Sequence, residues 1–479
     1  MAPYPGFVGQ AYTTRSTAVA SNRCVNLYPE TVNADAGYPA GKAPVVLYRT
    51  PGLGLLQTLP DGPIRGEFEI NGRAFVVAGA TLFEVGNNGT SHTTIGTVAN
   101  STDPAQMVAT EVQLLVLSAG LGYIYNMVTG VFSQILADAF PNPAVACTTI
   151  DTYMIVLHGG TNQFFISAPL DGTVWSGLDF SSDEEPDTAV TLAQNHLYLW
   201  IFGQNEIVIY QDSGGSAFPF TRIPGSQIEQ GCAALDSVIT ADNTLMWLGK
   251  DPRGAGVFYR GNGFLPDRIS DYGVEFAISQ YSTVADCVGY SYQDGGHLFC
   301  VWSFPTANAT WVYDVGEKKW HERLYFSAGQ YSAARARFHM FAFGMHVVGD
   351  YTNGNLYEMS EQYPTDNGAL IRWLRSAPHL SIEDQWLFYS QIQIDMQTGS
   401  GTNDPSYDPQ VVLRASNDGG YTWGNEQYAS CGATGQYNKR VIFNRQGRSR
   451  NRVFELSGSD PVQQICIINA YLTLQKGAG

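Results

Sequence analysis

The 479-residue sequence has no run approaching the ~20 consecutive apolar residues of a membrane-spanning helix, so no membrane insertion is expected. Its start, MAPYPGFVGQAY, lacks the basic opening and long apolar segment of a secretory signal, and none is expected. Cysteine is scarce: Cys24, Cys147, Cys232, Cys287, Cys300, Cys431 and Cys466 are scattered, odd in number and without a CxxC pair. Cys287, Cys300 and Cys466 fall in apolar, strand-like runs. This pattern fits buried, reduced thiols better than a disulfide framework or a metal site. A soluble protein made in a reducing compartment is the expectation. The eight histidines form no HxH, HxxxH or HExxH set, and no GxSxG, Walker or dinucleotide fingerprint occurs. Gly249–Gly254 lacks the spacing of a phosphate loop. Basic residues are few as well, 26 against 43 acidic for a net charge of −17, and such a field opposes casual binding to DNA or anionic membrane. No catalytic residue, cofactor or metal is expected from these patterns.

Strand and turn signals are abundant. Hydrophobic residues make up 44% and aromatics 13%, with 51 Gly and 23 Pro spread along the chain as many tight turns require. The clearest stretch is Asn71–Val85, NGRAFVVAGATLFEV. Apolar runs Ala74–Ala78 and Thr81–Val85 flank a Gly79-Ala80 turn and read as a hairpin. The pattern returns from Glu111, Asp151, Gln194, Asp242, Asp294 and Gly344, at intervals of 40 to 52 residues. A period of this size holding only β signals marks a β-propeller. The count gives seven blades, or six if one repeat is an insertion. The propeller is assigned to 45–365, with 45–60 supplying a missing strand to the last blade and hiding an edge. Val274–Asp286 has helical spacing at Val274, Ala277, Ile278 and Tyr281 and is expected to be an insertion between blades. Residues 1–44 read as an extended arm, packed on its own domain or on a neighbouring subunit. Its firm feature is Cys24–Glu30, a short strand stopped by Pro29.

After Glu361 the period is lost, and a turn-rich link, Tyr363–Gly368, follows. Leu387–Met396 alternates, with Phe388, Ser390, Ile392, Ile394 and Met396 on one face. Further strands are expected at Val411–Ala415, Lys439–Phe443, Arg452–Leu456 and Ile465–Leu474. Residues 370–479 therefore read as a β-sandwich or jelly-roll-like domain. Within it Ser416, Asp418, Gly420, Thr422 and Trp423 fit the Asp-box S-x-D-x-G-x-T-W, in which the carboxylate bonds turn amides and the Trp packs beneath the hairpin. The box is common in sialidases, but a single copy outside the repeats reads as a structural turn. Asp183, Glu184, Glu185 and Asp187, after Asp179, form an acidic loop without the spacing of a calcium site, and a solvated loop is expected. His196, His297 and His346 each open a strand in their repeat and read as positional equivalents, not ligands. The main charge anomaly is Lys439, Arg440, Arg445, Arg448, Arg450 and Arg452, with no acidic residue between Gln427 and Phe454. This reads either as a solvated hairpin or as a contact for an acidic partner. Because the rest of the chain is acidic, a protein–protein contact at Arg440, Arg445, Arg448, Arg450 and Arg452 is favoured over DNA binding.

Several stretches resemble one family: FGQNEIVIYQDSG within Gln194–Gly214, FTRIPGSQIEQG at Phe220–Gly231, GVFYRGNG near Gly263, and the tail from VVLRASNDGGYTWGNEQ to CIINA. CVNLYPE and RTPGL near the start are similar too. The family is that of the packaged-DNA stabilisation proteins, the tail hub or head-completion proteins of short-tailed bacteriophages. The resemblance touches most of the chain and is uneven between residues 80 and 150. It implies a structural, non-enzymatic component of the virion tail, made in the host bacterial cytoplasm. It further implies a homo-hexameric ring below the portal or head–tail adaptor protein. Such a ring retains double-stranded DNA in its channel without sequence-specific binding and anchors tail fibres, tailspikes or a needle protein. The competing reading, from the fold and the Asp-box alone, is a glycan-binding or sialidase-like propeller enzyme.

Overall fold

The computed structural model describes residues 1–32, 42–182, 187–215, 218–251, 254–402 and 404–477. Seven antiparallel sheets follow one another in chain order as blades 1 to 7. Blade 1 is typical, with strands Ile64–Ile70, Arg73–Ala78, Thr81–Gly86 and Ser91–Thr97 from the axis outward. The inner strand of each blade touches that of the next, or the turn leading into it, and the inner strand of blade 7, Ala336–Ala342, touches that of blade 1. The ring is thus closed. Its outermost strand in blade 7 comes from the other end of the chain: Gly52–Thr58 pairs antiparallel with Asn355–Ser360. The expected loan of a strand from 45–60 is therefore made by its second half. Val45–Arg49 instead joins the sandwich.

A separate apolar cluster fills each interface between blades. The middle strands are covered on both faces, which is why they read as unbroken apolar runs; Phe75, Val76, Val77 and Ala78 are all at 0% exposure. The blades come close enough that Gly66 cannot carry a side chain, since a Cβ there would sit 2.3 Å from the Ala105 carbonyl oxygen. Aspartates at the entrances to inner strands fasten the facing turns. Asp61 accepts from the Ala80 amide at 2.9 Å, Asp187 from Asn205 at 2.7 Å and Asp286 from Thr306 at 2.8 Å. Between blades 5 and 6 the expected helix is shorter than the sequence suggests. It spans Tyr272–Ser279, with Asp271 capping the Val274 amide at 2.9 Å, and the chain from Gln280 to Asp286 is turn.

The C-terminal part is a two-sheet sandwich. One sheet runs Val441–Ser449, Leu387–Met396, Cys466–Lys476, Val45–Arg49, Leu27–Thr31, with Ala2–Pro3 added against Cys466–Lys476. The other runs Cys24–Val25, Trp373–Ser376, Val453–Gly458, Gln410–Ser416, Gln427–Ser430 and continues directly from blade 6 through a single parallel bridge, Glu322 to Val25. Residues 1–32 of the arm pack on their own chain. Tyr4 and Phe7 are buried in the sandwich core, and Arg375 donates to the carbonyls of Phe7, Gly6 and Gln10 at 2.7, 2.9 and 3.3 Å. Pro29 does not stop its strand, which continues to Thr31. Leu27–Thr31 is the last strand of its sheet, where a residue without an N–H is tolerated. Asn26, with φ 54°, turns the chain between the two sheets. Its side chain is fully matched, donating to Leu324 and Arg372 carbonyls at 2.9 and 2.8 Å and accepting from the Leu324 amide at 2.8 Å.

The expected alternation of Leu387–Met396 is broken. A bulge between Tyr389 and Gln391 switches the faces, so Leu387, Tyr389, Ile392, Ile394 and Met396 point inward while Phe388 and Ser390 are exposed. No helix among the described residues is long and apolar enough to cross a membrane.

Candidate interaction surface

The bulge shapes the basic region. Opposite Ser390, the strand Val441–Ser449 carries two residues, Arg445 and Gln446, and so one extra; Arg445 has φ 59° and Gly447 φ 73°. This strand closes one end of its sheet. The basic residues therefore do not share one loop between strands, as the sequence suggests; Lys439 and Arg440 precede the strand. Arg445 and Arg448 lie in the strand itself, and Arg450 lies in the turn that follows.

Arg440, Arg445, Arg448 and Arg450 are exposed. Arg448 and Arg450 lie against the ring of Trp386, at 4.8 and 4.9 Å from its centroid. Trp386 and Phe388 remain 40% and 42% exposed, so two guanidinium groups and two aromatic rings form one accessible patch. Arg450 approaches Asp384 at 3.9 Å, but both are open to solvent and the pair adds little. Arg452 belongs elsewhere. It is 3% exposed, donates to Asn417 Oδ1 at 2.6 and 3.0 Å and to the Gln446 carbonyl, and lies over the rings of Tyr389 and Phe454. Four hydrogen bonds to local acceptors and a ring on its face make it part of the sandwich core. Unlike the other four arginines, it is not available to a partner.

The Asp-box has the turn geometry expected of it. Ser416 Oγ donates to Asp418 Oδ1 at 2.6 Å and accepts from the Gly420 amide at 2.8 Å. Asp418 also accepts from the Thr422 amide at 2.9 Å and the Thr422 hydroxyl at 2.5 Å. Bonds from Ser416 and Thr422 hold its carboxyl well below the usual range. The Trp423 expectation needs correcting: the ring is only partly buried, and Arg414 covers it at 4.7 Å. The carboxylate faces its own turn and has no second carboxylate among its partners.

Asp183, Glu184 and Glu185 lie outside the described residues; Asp187 is the turn anchor described above. Two histidine arrangements escaped the sequence reading. His339 Nε2 and His346 Nδ1 lie 3.0 Å apart on neighbouring strands of blade 7, with burial pushing His339 down to about 3. His297 is held between Asp314 Oδ2 at 2.6 Å and Glu30 Oε2 at 3.3 Å, and the Asp314 bond raises it to about 9. The spacing of each set reflects strand pairing, which a linear motif search does not see. Among the described residues no three His, Cys, Asp or Glu side chains gather to hold a metal. All seven cysteines are buried and free.

The chain is thus a two-part all-β protein, a closed propeller continuous with a β-sandwich, with an arginine–aromatic patch on the sandwich edge. The chain matches the family described as "Bacteriophage P22 Gp10, beta-propeller" over residues 8–363 and "Bacteriophage P22 Gp10, beta-sandwich" over 372–471. It belongs to that family of short-tailed phage tail hub and DNA stabilisation proteins, structural components of the virion tail. Solved structures similar in outline include the computationally designed Ika8 protein, at 8% identity and TM-score 0.40, covering 64% of this chain and 99% of that one. The N-terminal domain of Nup159 is 9% identical with TM-score 0.43 and coverages of 71% and 99%. The Neurospora crassa Pan2 WD40 domain is 11% identical with TM-score 0.44 and coverages of 65% and 95%. No curated protein matches the sequence.

Proposed function

We propose that this chain is the hub subunit of a short phage tail. In this reading it forms a homo-hexameric ring below the portal, retains packaged DNA and anchors fibres, spikes or a needle. The observation that carries the reading is family membership across both domains, residues 8–363 and 372–471. The net charge of −17 agrees with enclosing DNA without gripping it, because a field of like sign lets phosphates slide.

The patch of Arg448, Arg450, Trp386 and Phe388 serves as a contact in that assembly. Guanidinium groups bind carboxylates bidentately, and an acidic neighbouring copy or portal subunit supplies them. Aromatic rings beside arginines are the usual content of interface hot spots. The test is charge reversal, Arg448→Glu with Arg450→Glu. Both side chains are exposed, so the isolated chain should stay folded, within about 1 kcal/mol of the parent. Ring assembly or docking to DNA-filled heads should weaken, and heads should leak DNA. Normal assembly and docking at physiological salt would remove the patch from the assembly contacts. Failure of the unmodified chain to join the tail would remove the hub reading itself. The enzyme alternative has only the single Asp-box in its favour, and that carboxylate is engaged in its own turn.

A further inference from the structure

Buried polar groups in a folded protein find partners, and those that do not call for an explanation. Two such groups, on Asp286 and Arg337, border one cavity of about 530 Å3 in the propeller. Its walls come from the entrances to blades 2, 3, 5 and 6 and from the inner strand of blade 7. The ring axis is the place close to all of them. Gln106 Nε2 reaches across to Asp236 Oδ1 at 3.0 Å, joining the entrance of blade 2 to that of blade 5.

The charged groups here lack hydrogen-bond partners, although Arg337 lies close enough to Asp236 and Asp286 for their charges to attract. Arg337 makes no hydrogen bond and no ion pair within 4.0 Å among the described residues, and its Nε is enclosed. Its contacts are with ring faces, Phe338 and Tyr351, each at 5.9 Å. Asp286 spends Oδ2 on the Thr306 amide, while its Oδ1 is enclosed and without a partner. Burial pushes the Asp236 carboxyl up to about 6. Asp103 adds a third carboxylate to the wall, and Leu117, Val145 and Val288 supply apolar surface. The cavity is within the size range of small-molecule sites, roughly 300–1,000 Å3. No three metal-ligating side chains gather among the described residues, so a bare divalent ion is a poor fit.

We propose that this axial cavity binds a small basic amino acid, or a chain terminus of the same chemistry, with its carboxylate on Arg337 and its ammonium or guanidinium group on Asp236 and Asp286. Three carboxylates against one guanidinium favour a ligand of net positive charge over a neutral zwitterion. The aliphatic stem lies along the apolar wall. Such a ligand supplies both missing kinds of partner at once, and it ties the entrances of blades 5 and 6 to blade 7.

Calorimetry and thermal shift on the full-length protein with L-lysine, cadaverine and hexanoate test this. Lysine should bind 1:1 in the millimolar range or tighter, at least tenfold better than cadaverine, which lacks the carboxylate, or hexanoate, which lacks both ammonium groups. Arg337→Met should reduce lysine to the level of cadaverine and leave cadaverine unchanged. Asp286→Asn should weaken lysine and cadaverine together. Because Asp286 also holds a turn, Ala285→Trp provides an independent variant: Ala285 is exposed in the cavity wall, and the added ring should block every ligand without touching either charged pole. Tighter binding of Gly-Gly-Lys than of free lysine would assign the ligand to a protein C-terminus, and the reverse would assign it to a free amino acid. Equal affinity of lysine and cadaverine in the parent protein, no saturable binding at millimolar concentration, or undiminished binding in Ala285→Trp would overturn the proposal.

Discussion

Arg375 is the side chain whose loss should separate the arm from the body of the protein. Its guanidinium is at 0% exposure and has three acceptors, the carbonyls of Phe7, Gly6 and Gln10 at 2.7, 2.9 and 3.3 Å, all in the arm. Hydrogen bonds from a charged group contribute about 1.5–3 kcal/mol each. Arg375→Met keeps most of the buried volume and removes the cost of burying a charge, which offsets part of that sum. A net loss of about 2–4 kcal/mol is expected, and it should fall on arm docking because the freed carbonyls can reach water once the arm lifts. Hydrogen exchange reads this locally. The Tyr4 amide, bonded to the Ala470 carbonyl at 2.8 Å, and the Thr14 amide, bonded to Ala20 at 3.1 Å, should exchange roughly 30- to 1,000-fold faster, while amides within blade 2 hold their rates. Unchanged exchange at Tyr4 would show that Tyr4 and Phe7 hold the arm without the arginine. An equal acceleration in blade 2 would show that the arm and the propeller unfold as one unit.

Two further outcomes follow from the sites already described. His297 is raised from 6.5 to about 9, chiefly by its bond to Asp314 and then by Glu30. Its contribution to stability is therefore complete below pH 6.5 and lost as pH rises through 9. The melting temperature should fall across that window, and His297→Gln should flatten the slope; an unchanged slope would show that the cation does not hold the arm strand to blade 6. In the Asp-box, Trp423→Ala should cost about 1–2 kcal/mol by denaturant titration, as befits a partly buried ring under Arg414, and a cost of 3 kcal/mol or more would mean that the ring is a core anchor.

The middle strands of the blades were legible because both their faces are covered. Gln113–Ser118 is buried at every position and reads as QLLVLS. The outer strands were not. Ser91–Thr97, SHTTIGT, is exposed at its first four residues, so nothing in its composition distinguishes it from a loop. Ring closure by Gly52–Thr58 could be guessed from the edge it removes. Its boundary with Val45–Arg49 could not, because two apolar strands separated by Thr50 and Pro51 enter different domains. Pro29 misled for a related reason: a proline ends a central strand but not the edge strand that pairing makes of Leu27–Thr31. The helix was legible from its apolar spacing at Val274, Ala277 and Ile278, but its start at Tyr272 behind the Asp271 cap was missed, and it was overextended where that spacing continued into turn.

The basic segment shows what linear charge counting misses. Six basic residues without an acid read as one feature, yet the fold divides them by the bulge at Tyr389–Gln391. Without that bulge, strict alternation would place Phe388 with Ile392 and Ile394 in the core. With it, Phe388 is exposed and pairs in register with Arg448, beside Trp386. On the facing strand, the one extra residue at Arg445–Gln446 lets Gln446 turn inward, where it donates to Gln427 at 2.8 Å and ties the edges of the two sheets together. Arg452 is then drawn inward to the Gln446 carbonyl and Asn417, giving up solvent for fixed acceptors. The same irregularity thus removes one arginine from the surface and collects two others around an exposed aromatic ring. Bulges re-aim side chains at sheet edges. A patch made this way depends on backbone register, so shifting the register at Ser390 should disperse it even with every arginine retained.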